Sequence, residues 1–442
     1  MNKKSLIFIS VVFVLSFILK LVYILNFPLE PIQDFETLYN VAVNLYEGKG
    51  FTLNGYEWGF QSYGYPLILS LFFRLIGNTS IFTAKIFNLI ISMLTLPVFY
   101  LIFNKVFSKK SVVYICYALM AFLPNNIIYN NVTGTEVLSV FLLAIIICMN
   151  LYVTEKNKTI NFVLQGFVCG ILSLVKPFFM AYPVVLIFIY FIKEKKFRPI
   201  LKIGTLIIIG FMLVLVPSII KNYRQFNTFM PISYNGGFTL YINNNSQNVR
   251  GSWMNAFKVE STKEFKEKLK AVGYDITPNA TIEKEQNLRN WKASGVYKDE
   301  AVNWIINNPI EFVTLGFMRL SNVFFTGAGD VQLWGFEAET INSFTNQEHR
   351  IFKIFMALSD TVIYLLSISF VIVVCMNLKN IFLKKTDIKV LVTVWTLAFF
   401  CAVYFVVEGQ SRYNFPCLFL MTICLGFLIE KFNNNEVKKL DK

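Results

Sequence analysis

Ten apolar runs of membrane-spanning length punctuate the chain, at roughly 6–25, 81–103, 112–129, 135–153, 160–175, 178–192, 201–220, 352–376, 388–407 and 413–429. About 20 apolar residues cross the hydrocarbon core of a bilayer, with a range of roughly 17–25. A helix is the form in which one such segment satisfies all its own backbone polar groups in lipid. The chain therefore reads as an all-α polytopic membrane protein with about ten transmembrane helices. The fifth and sixth runs are short and flank Lys176-Pro177, so they read as two spans joined by a tight turn. The first run has no small-residue cleavage site and continues into Leu25-Asn26-Phe27-Pro28, which reads as a retained span rather than a cleaved signal. Composition agrees: 55% of the residues are hydrophobic and 15% charged, against about 25% charged in an average soluble domain.

The charge orients the spans. With the N-terminus in the cytoplasm, the inside segments are 1–5, 104–111, 154–159, 193–200, 377–387 and 430–442. Together with Lys202 and Lys389 they hold 20 Lys/Arg and six acids, a surplus equal to the whole net charge of +14. The rest of the chain is neutral, with 21 basic and 21 acidic residues. This positive-inside pattern places both termini in the cytoplasm of a multi-pass plasma-membrane protein. A nucleic-acid partner is not expected, because a basic binding face would gather on one soluble element. All seven cysteines lie in or beside predicted spans, and there is one histidine, His349. Neither a disulfide framework nor a histidine-based zinc site is indicated.

The same topology leaves two long polar segments outside, 26–80 and about 221–351. It divides the chain into an N-terminal module, 1–220, the large outer segment, 221–351, and C-terminal spans with a cytoplasmic tail, 352–442. In 33–46, Leu38, Val41, Ala42 and Leu45 fall at helical spacing and Gly48 can end the helix. This predicts an amphipathic helix on the outer membrane surface. Residues 63–73 predict a second surface helix too short to span. The large outer segment opens with turn-rich sequence around Asn222, Ser233–Gly237 and Asn243–Asn245. It continues with charged helical stretches near 260–272 and 281–294, so it reads as α or α/β. The apolar run Ile310–Phe325 carries Glu311 and Arg319 and reads as a surface-lying or re-entrant helix. No internal repeat is visible. The bias of Lys over Arg and the many Asn suggest an AT-rich genome.

Several ionisable residues fall on the outer face. Asp34 could act as a general base at the membrane surface; equally, an Asp before a helix is an ordinary N-cap. Glu36 suits the first turn of that helix, but lies roughly 200° around it from Asp34 and cannot pair with it on one face. Glu136 sits at the outer end of the fourth span, where it could bind substrate or merely cap the helix. Lys176 could hold a lipid phosphate or snorkel to headgroups. Arg224 follows the seventh span. Glu408 and Arg412, followed by Tyr413, fill the short turn between the last two spans. Arg412 suits phosphate recognition, and a salt bridge to Glu408 is the plain alternative. No single residue here is specific; their common side of the membrane carries the argument.

The order of these features resembles the GT-C superfamily of membrane glycosyltransferases, in the bacterial branch similar to protein O-mannosyltransferases (glycosyltransferase family 39) and to the lipid A aminoarabinose transferase. The resemblance covers nearly the whole chain. It rests on Pro31-Ile32-Gln33-Asp34 after the first span, then Tyr39, Ala42, Leu45, Gly48 and Gly50. Trp58, Tyr65-Pro66-Leu67, Thr135-Glu136 and Lys176-Pro177 continue the pattern. Asn222-Tyr223-Arg224, Asn235-Gly236-Gly237, Asn243–Asn245, Arg412-Tyr413 and Pro416 complete it. Two departures stand out. The mannosyltransferase branch has adjacent Asp-Glu where this chain has Asp34-Phe35-Glu36, and the aminoarabinose branch has a Lys where this chain has Gly64 and Tyr65 before Pro66.

The resemblance implies a sugar donor carried on a polyprenyl phosphate, an acceptor outside the cytoplasm, and inversion at the anomeric carbon. It makes Asp34 the base. Lys176, Arg224 and Arg412 hold the donor phosphate, and Tyr413 lines the site. Glu36, Glu136 and Glu408 are candidates for sugar or acceptor. The acceptor would be a teichoic acid, another envelope glycolipid or polysaccharide, or a protein. A monophosphate leaving group can be stabilised by Arg and Lys, so no metal or other cofactor is expected. Three rival readings remain, one of them transfer of a whole oligosaccharide from a pyrophosphate carrier, which would usually call for a metal site. A lipid-linked-sugar flippase would use mid-membrane charges such as Lys20, Lys85 and Asp360. A non-catalytic envelope scaffold would need none of this chemistry.

Overall fold

A computed structural model describes residues 3–153, 158–194, 196–260, 262–273, 291–378 and 387–440. Residues 281–290 of the predicted charged helix lie outside these ranges. The chain opens with α1 (Lys3–Asn26), followed by α2 (Asp34–Tyr46) and α3 (Gly64–Ile76). Next come α4 (Ile81–Val106), α5 (Lys110–Phe122), α6 (Pro124–Ile128), α7 (Thr135–Tyr152), α8 (Lys158–Val175), α9 (Tyr182–Glu194) and α10 (Phe197–Phe226). The second polar segment holds α11 (Asn235–Asn243), α12 (Lys263–Ala271), α13 (Trp291–Asn307), α14 (Pro309–Phe324), α15 (Gly329–Gly335) and α16 (Ala338–Asn342). The chain closes with α17 (Asn346–Asn377), α18 (Ile388–Val406) and α19 (Leu418–Leu440).

Among the described residues, nine helical segments are long and apolar enough to cross a membrane. The pair α5–α6, continued by a 3₁₀ turn to Asn131 and bent by 50°, makes a tenth when it is counted as one broken span. The protein is an all-α multi-pass membrane protein. Each of the ten apolar runs of the sequence finds its segment, with one correction of shape. The run 112–129 is not a straight span, because it breaks at Leu123-Pro124. A proline ring excludes the preceding residue from helical backbone, and Leu123 is extended at ψ 128. The short fifth and sixth runs are two helices joined by a 3₁₀ turn, Pro177–Ala181, immediately after Lys176.

Two stretches read as turns are helical. Asn222-Tyr223-Arg224 is the last turn of α10, which runs on to Phe226. Asn235–Asn243 forms α11. Among its described residues, the regular structure of the second polar segment is helical, with loops between the helices. The one sheet among the described residues is a hairpin in the first polar segment: Thr52 pairs with Glu57 and Leu53 with Tyr56. Its tip, Asn54-Gly55, has φ of 51° and 80°, the backbone that a two-residue hairpin turn requires.

The apolar face of α2 is the one that the spacing indicated, with Leu38, Val41, Ala42 and Leu45 buried alongside Phe35. It does not rest on lipid, however. It packs on α3, the hairpin and Trp58. The segment leading into α3 is pinned to the end of α8. Ser62 Oγ donates to Val175 O at 2.8 Å, and a Cβ on Gly64 would lie 2.4 Å from the carbonyl carbon of Leu174. Lys176 is thereby fixed beside the first polar segment.

The tightest helix pair is α8 with α10. A Cβ on Gly166 would lie 1.9 Å from Ile207 O, and one on Gly210 would lie 1.9 Å from Val163 O. Small residues let backbones touch in a lipid environment that offers helices little hydrophobic reason to associate. Gly166→Ala is expected to lower the melting temperature of the purified protein in detergent, with a loss of at least about 2 kcal/mol, because overpacking here meets backbone rather than a movable side chain. Gly204→Ala is the contrasting variant: its Cβ would meet the Ile187 side chain at 3.4 Å, and the melting temperature is expected to hold or rise slightly.

Candidate active site

Asp34 is the first residue of α2. The residue before it, Gln33, has φ 54°, in the left-handed region that non-glycine residues seldom occupy. Such backbone persists when its surroundings fix it, and it recurs at functional sites. The carboxylate does not cap the helix: the N-cap position belongs to Gln33, without a side-chain capping bond. Asp34 Oδ1 accepts from Gln61 Nε2 at 2.6 Å. Oδ2 accepts from the Arg412 guanidinium at 3.4 Å. The Asp34 side chain is 53% exposed and that of Arg412 is 13% exposed.

Arg412 lies in the 3₁₀ turn Ser411–Cys417 that leads into α19. Its guanidinium carbon is 5.8 Å from the Phe35 ring centre, 5.5 Å from that of Trp334 and 5.3 Å from that of Tyr413. Aromatic faces attract a cation at this range. The alternative pairing of Arg412 with Glu408 is not made. Glu408 instead accepts from the Tyr413 hydroxyl at 2.9 Å and from the Gln410 side-chain amide. Burial pushes the Glu408 carboxyl above its ordinary range, and the nearby Arg412 opposes this. Tyr413 in turn stacks on Tyr404, with ring centres 5.5 Å apart and planes 14° apart.

A second ion pair lies alongside. Lys176 Nζ is 3.2 Å from Glu136 Oε1, with side chains 12% and 5% exposed. Glu136 Oε2 is buried without a hydrogen-bond partner. Phe35 and Glu136 meet over Gly134, where a Cβ would sit 2.5 Å from Glu136 Oε2 and 2.7 Å from the Phe35 ring. Phe35 therefore touches both halves of the site. In this way Asp34, Glu136, Lys176, Glu408, Arg412 and Tyr413 come together from four parts of the chain. Two candidates do not join them. Glu36 is exposed on α2, and Arg224 is exposed on the last turn of α10; among the described residues neither has a hydrogen bond or ion pair to the cluster.

Three residues around the site were not singled out from the sequence. Gln61 is an unremarkable loop amide, and Trp334 is one of six tryptophans. Asp330 follows the apolar run of α14 and could have been noticed as a lone acid in apolar surroundings. It is fully buried on α15 and accepts from Asn125 Nδ2 and from the Tyr129 hydroxyl, both at 2.9 Å. Its Oδ1 has no partner. Asp330 belongs to the mounting of Trp334. Asp360 Oδ1 accepts from Ala328 N at 2.7 Å just before α15, and the Tyr23 hydroxyl donates to Gly335 O at 2.6 Å at its end.

Burial pushes the Asp330 carboxyl from 3.8 up to about 6, against the hydrogen bonds from Tyr129 and Asn125. The fold thus favours the protonated form. That contribution to stability is complete below about pH 4 and is lost as the pH rises through about 6. Asp330→Asn keeps an oxygen that can accept both hydrogen bonds. It is expected to raise the melting temperature at pH 8, by an amount bounded at roughly 3 kcal/mol, and to leave it unchanged at pH 4. The check is a pair of thermal scans of each protein.

Residues 61–220 match the family model described as Dolichyl-phosphate-mannose-protein mannosyltransferase. No curated protein sequence matches the chain. Among solved structures, the Archaeoglobus fulgidus oligosaccharyltransferase in its apo form is similar, at 10% identity and a TM-score of 0.52, over 98% of this chain and 52% of that one. The same enzyme in complex with Zn and sulfate gives 12% identity and 0.50, over 95% and 49%. ArnT from Cupriavidus metallidurans bound to undecaprenyl phosphate is 9% identical with a TM-score of 0.47, over 96% and 78%. The chain spans about half the length of the oligosaccharyltransferase. At such identities the likeness is one of fold. The chain shares its fold with that oligosaccharyltransferase, and residues 61–220 match the sequence pattern of the mannosyltransferase family model.

Proposed function

We propose that the chain is an inverting glycosyltransferase that moves one sugar from a polyprenyl-phosphate donor to a hydroxyl-bearing acceptor outside the cytoplasm. The observation that carries this reading is the Asp34–Arg412 pair, an exposed carboxylate and a buried guanidinium 3.4 Å apart, within a GT-C fold. The description of the matching family, which joins a sugar to a polyprenyl monophosphate, supports the donor class. The charge surplus of the inside segments supports cytoplasmic termini and an outward-facing site.

In the proposed reaction, Asp34 takes the proton of the acceptor hydroxyl. The acceptor oxygen then forms its bond to the anomeric carbon from the face opposite the phosphate. The bond from that carbon to the phosphate oxygen breaks, and its electron pair leaves with the polyprenyl phosphate. Arg412 and Lys176 stabilise the charge that develops there. The aromatic walls keep Arg412 away from water, where its attraction to phosphate is strongest. Glu136 and Glu408, with Tyr413, are placed to orient sugar or acceptor hydroxyls. The acceptor remains one of the envelope classes: a teichoic acid, a glycolipid or polysaccharide, or a protein.

Deleting the gene and measuring polyprenyl-phosphate sugars by mass spectrometry tests the reading. One monophosphate-linked sugar is expected to accumulate on the outer leaflet, and wild-type protein is expected to clear it. Asp34→Asn, made at equal levels, is expected to fail, with transfer by the purified protein reduced about 10²–10⁴-fold. If no such lipid accumulates, or if Asp34→Asn clears it as well as wild type, the reading is wrong. Accumulation on the cytoplasmic leaflet would point to a flippase.

A further inference from the structure

The arginine that argued against a span at 310–325 is the largest fully buried side chain among the described residues. Arg319 does not snorkel to water. One terminal nitrogen donates to Phe405 O at 2.7 Å and Val406 O at 3.0 Å. The other donates to Asn243 O at 2.6 Å and to Asn244 Oδ1 at 3.0 Å. The first two acceptors are the last carbonyls of α18, which lack partners within their own helix. The other two belong to the end of α11, in the second polar segment.

The backbones close around this side chain. Asn244 Nδ2 also donates to Val406 O, at 3.2 Å. Gly409 N donates to Gly251 O at 3.1 Å. A Cβ on Gly409 would lie 2.4 Å from the Arg319 Cα, and one on Gly251 would lie 3.1 Å from its Cγ. Gly251 has φ 66°, so it is adapted to that approach twice over. Three residues past Gly409 stands Arg412. The loop bearing Glu408 and Arg412 is thus fastened to the second polar segment chiefly by the four hydrogen bonds of one guanidinium, beside those of Asn244 and Gly409.

We propose that Arg319 is a positioning residue: by tying the end of α18 to Asn243 and Asn244, it holds Arg412 where a lipid phosphate can meet it. The part concerning phosphate rests on the glycosyltransferase reading; the fastening itself does not. Lysine cannot reproduce four hydrogen bonds from one planar group, so Arg319→Lys keeps the charge and loses the geometry.

The test uses the full chain in nanodiscs, with undecaprenyl phosphate as the probe and hydrogen exchange as a second readout. Arg319→Lys is expected to weaken binding about tenfold, which corresponds to about 1.4 kcal/mol. Added to Arg412→Lys it is expected to cost little more, because neighbours acting through one contact are not additive. Exchange is expected to rise at Gly409 through Tyr413 and to stay unchanged in α2 and α8. Asn244→Ala, a milder change, is expected to move both readouts in the same direction and serves if Arg319→Lys does not fold. Full additivity with Arg412→Lys overturns the positioning role. Unchanged exchange at Gly409, or exchange raised throughout the chain, overturns the fastening. If wild-type protein does not bind undecaprenyl phosphate, it is the donor reading that falls, and exchange at Gly409 alone decides the role of Arg319.

Discussion

A guanidinium taken out of water must be given partners, and the site is built around meeting that demand for Arg412. Aromatic rings from α2, α15 and its own turn surround it, and the carboxylate that meets it stands 378 residues earlier in the chain. For the two to meet, the helix after the first span must lie against the turn before the last one. The mounting of α15 by Asp330, Asp360 and Tyr23, the seat of α3 on the end of α8 and the fastening of the α18 loop by Arg319 all act on parts of this meeting. Each uses polar side chains that the fold supplies with hydrogen bonds, as a low-dielectric interior requires, while Asp330 Oδ1 and Arg319 Nε stay without a partner.

The spans were legible in the sequence because lipid leaves a chain few options. Residues 135–153 or 352–376 announce their helices by length and apolarity alone. The inner face of α2 was also legible, since Leu38, Val41, Ala42 and Leu45 recur at helical spacing whatever they pack against. What covers that face was not. An apolar stripe has the same pattern beneath lipid as beneath α3 and Trp58. Position alone left Asp34 between base and helix cap for a similar reason: its place before a helix is visible in the sequence, whereas Gln61 and Arg412 reach it only through the tertiary fold. Arg319 shows the limit most clearly. Its presence in an apolar run counted against a span, but nothing local tells a surface arginine from one that faces four acceptors.

The asparagines are a further instance. As composition they suggested only an AT-rich genome. In the fold, Asn222 donates to Met230 O and Ile232 O, Asn88 to Val132 O, and Asn248 to Ile242 O and Ser252 O, while Asn245 closes the turn that follows α11. An amide side chain both donates and accepts without carrying charge. It can therefore satisfy loop backbone at the ends of a helix bundle, where a charged residue would suffer a larger desolvation penalty. A codon bias and a structural demand are met by the same residue type.

The Asp34–Arg412 pair is lopsided, with the carboxylate half in water and the guanidinium enclosed. On the proposed reaction, the two halves respond differently when a phosphate arrives. The enclosed cation is held by its surroundings and stays, and the solvated anion is the one free to yield. On that reading, a phosphate drawn to Arg412 would replace Asp34 as its anionic partner and leave the carboxylate free for the acceptor hydroxyl. Its release as a base and the seating of the donor then become a single exchange of one anion for another.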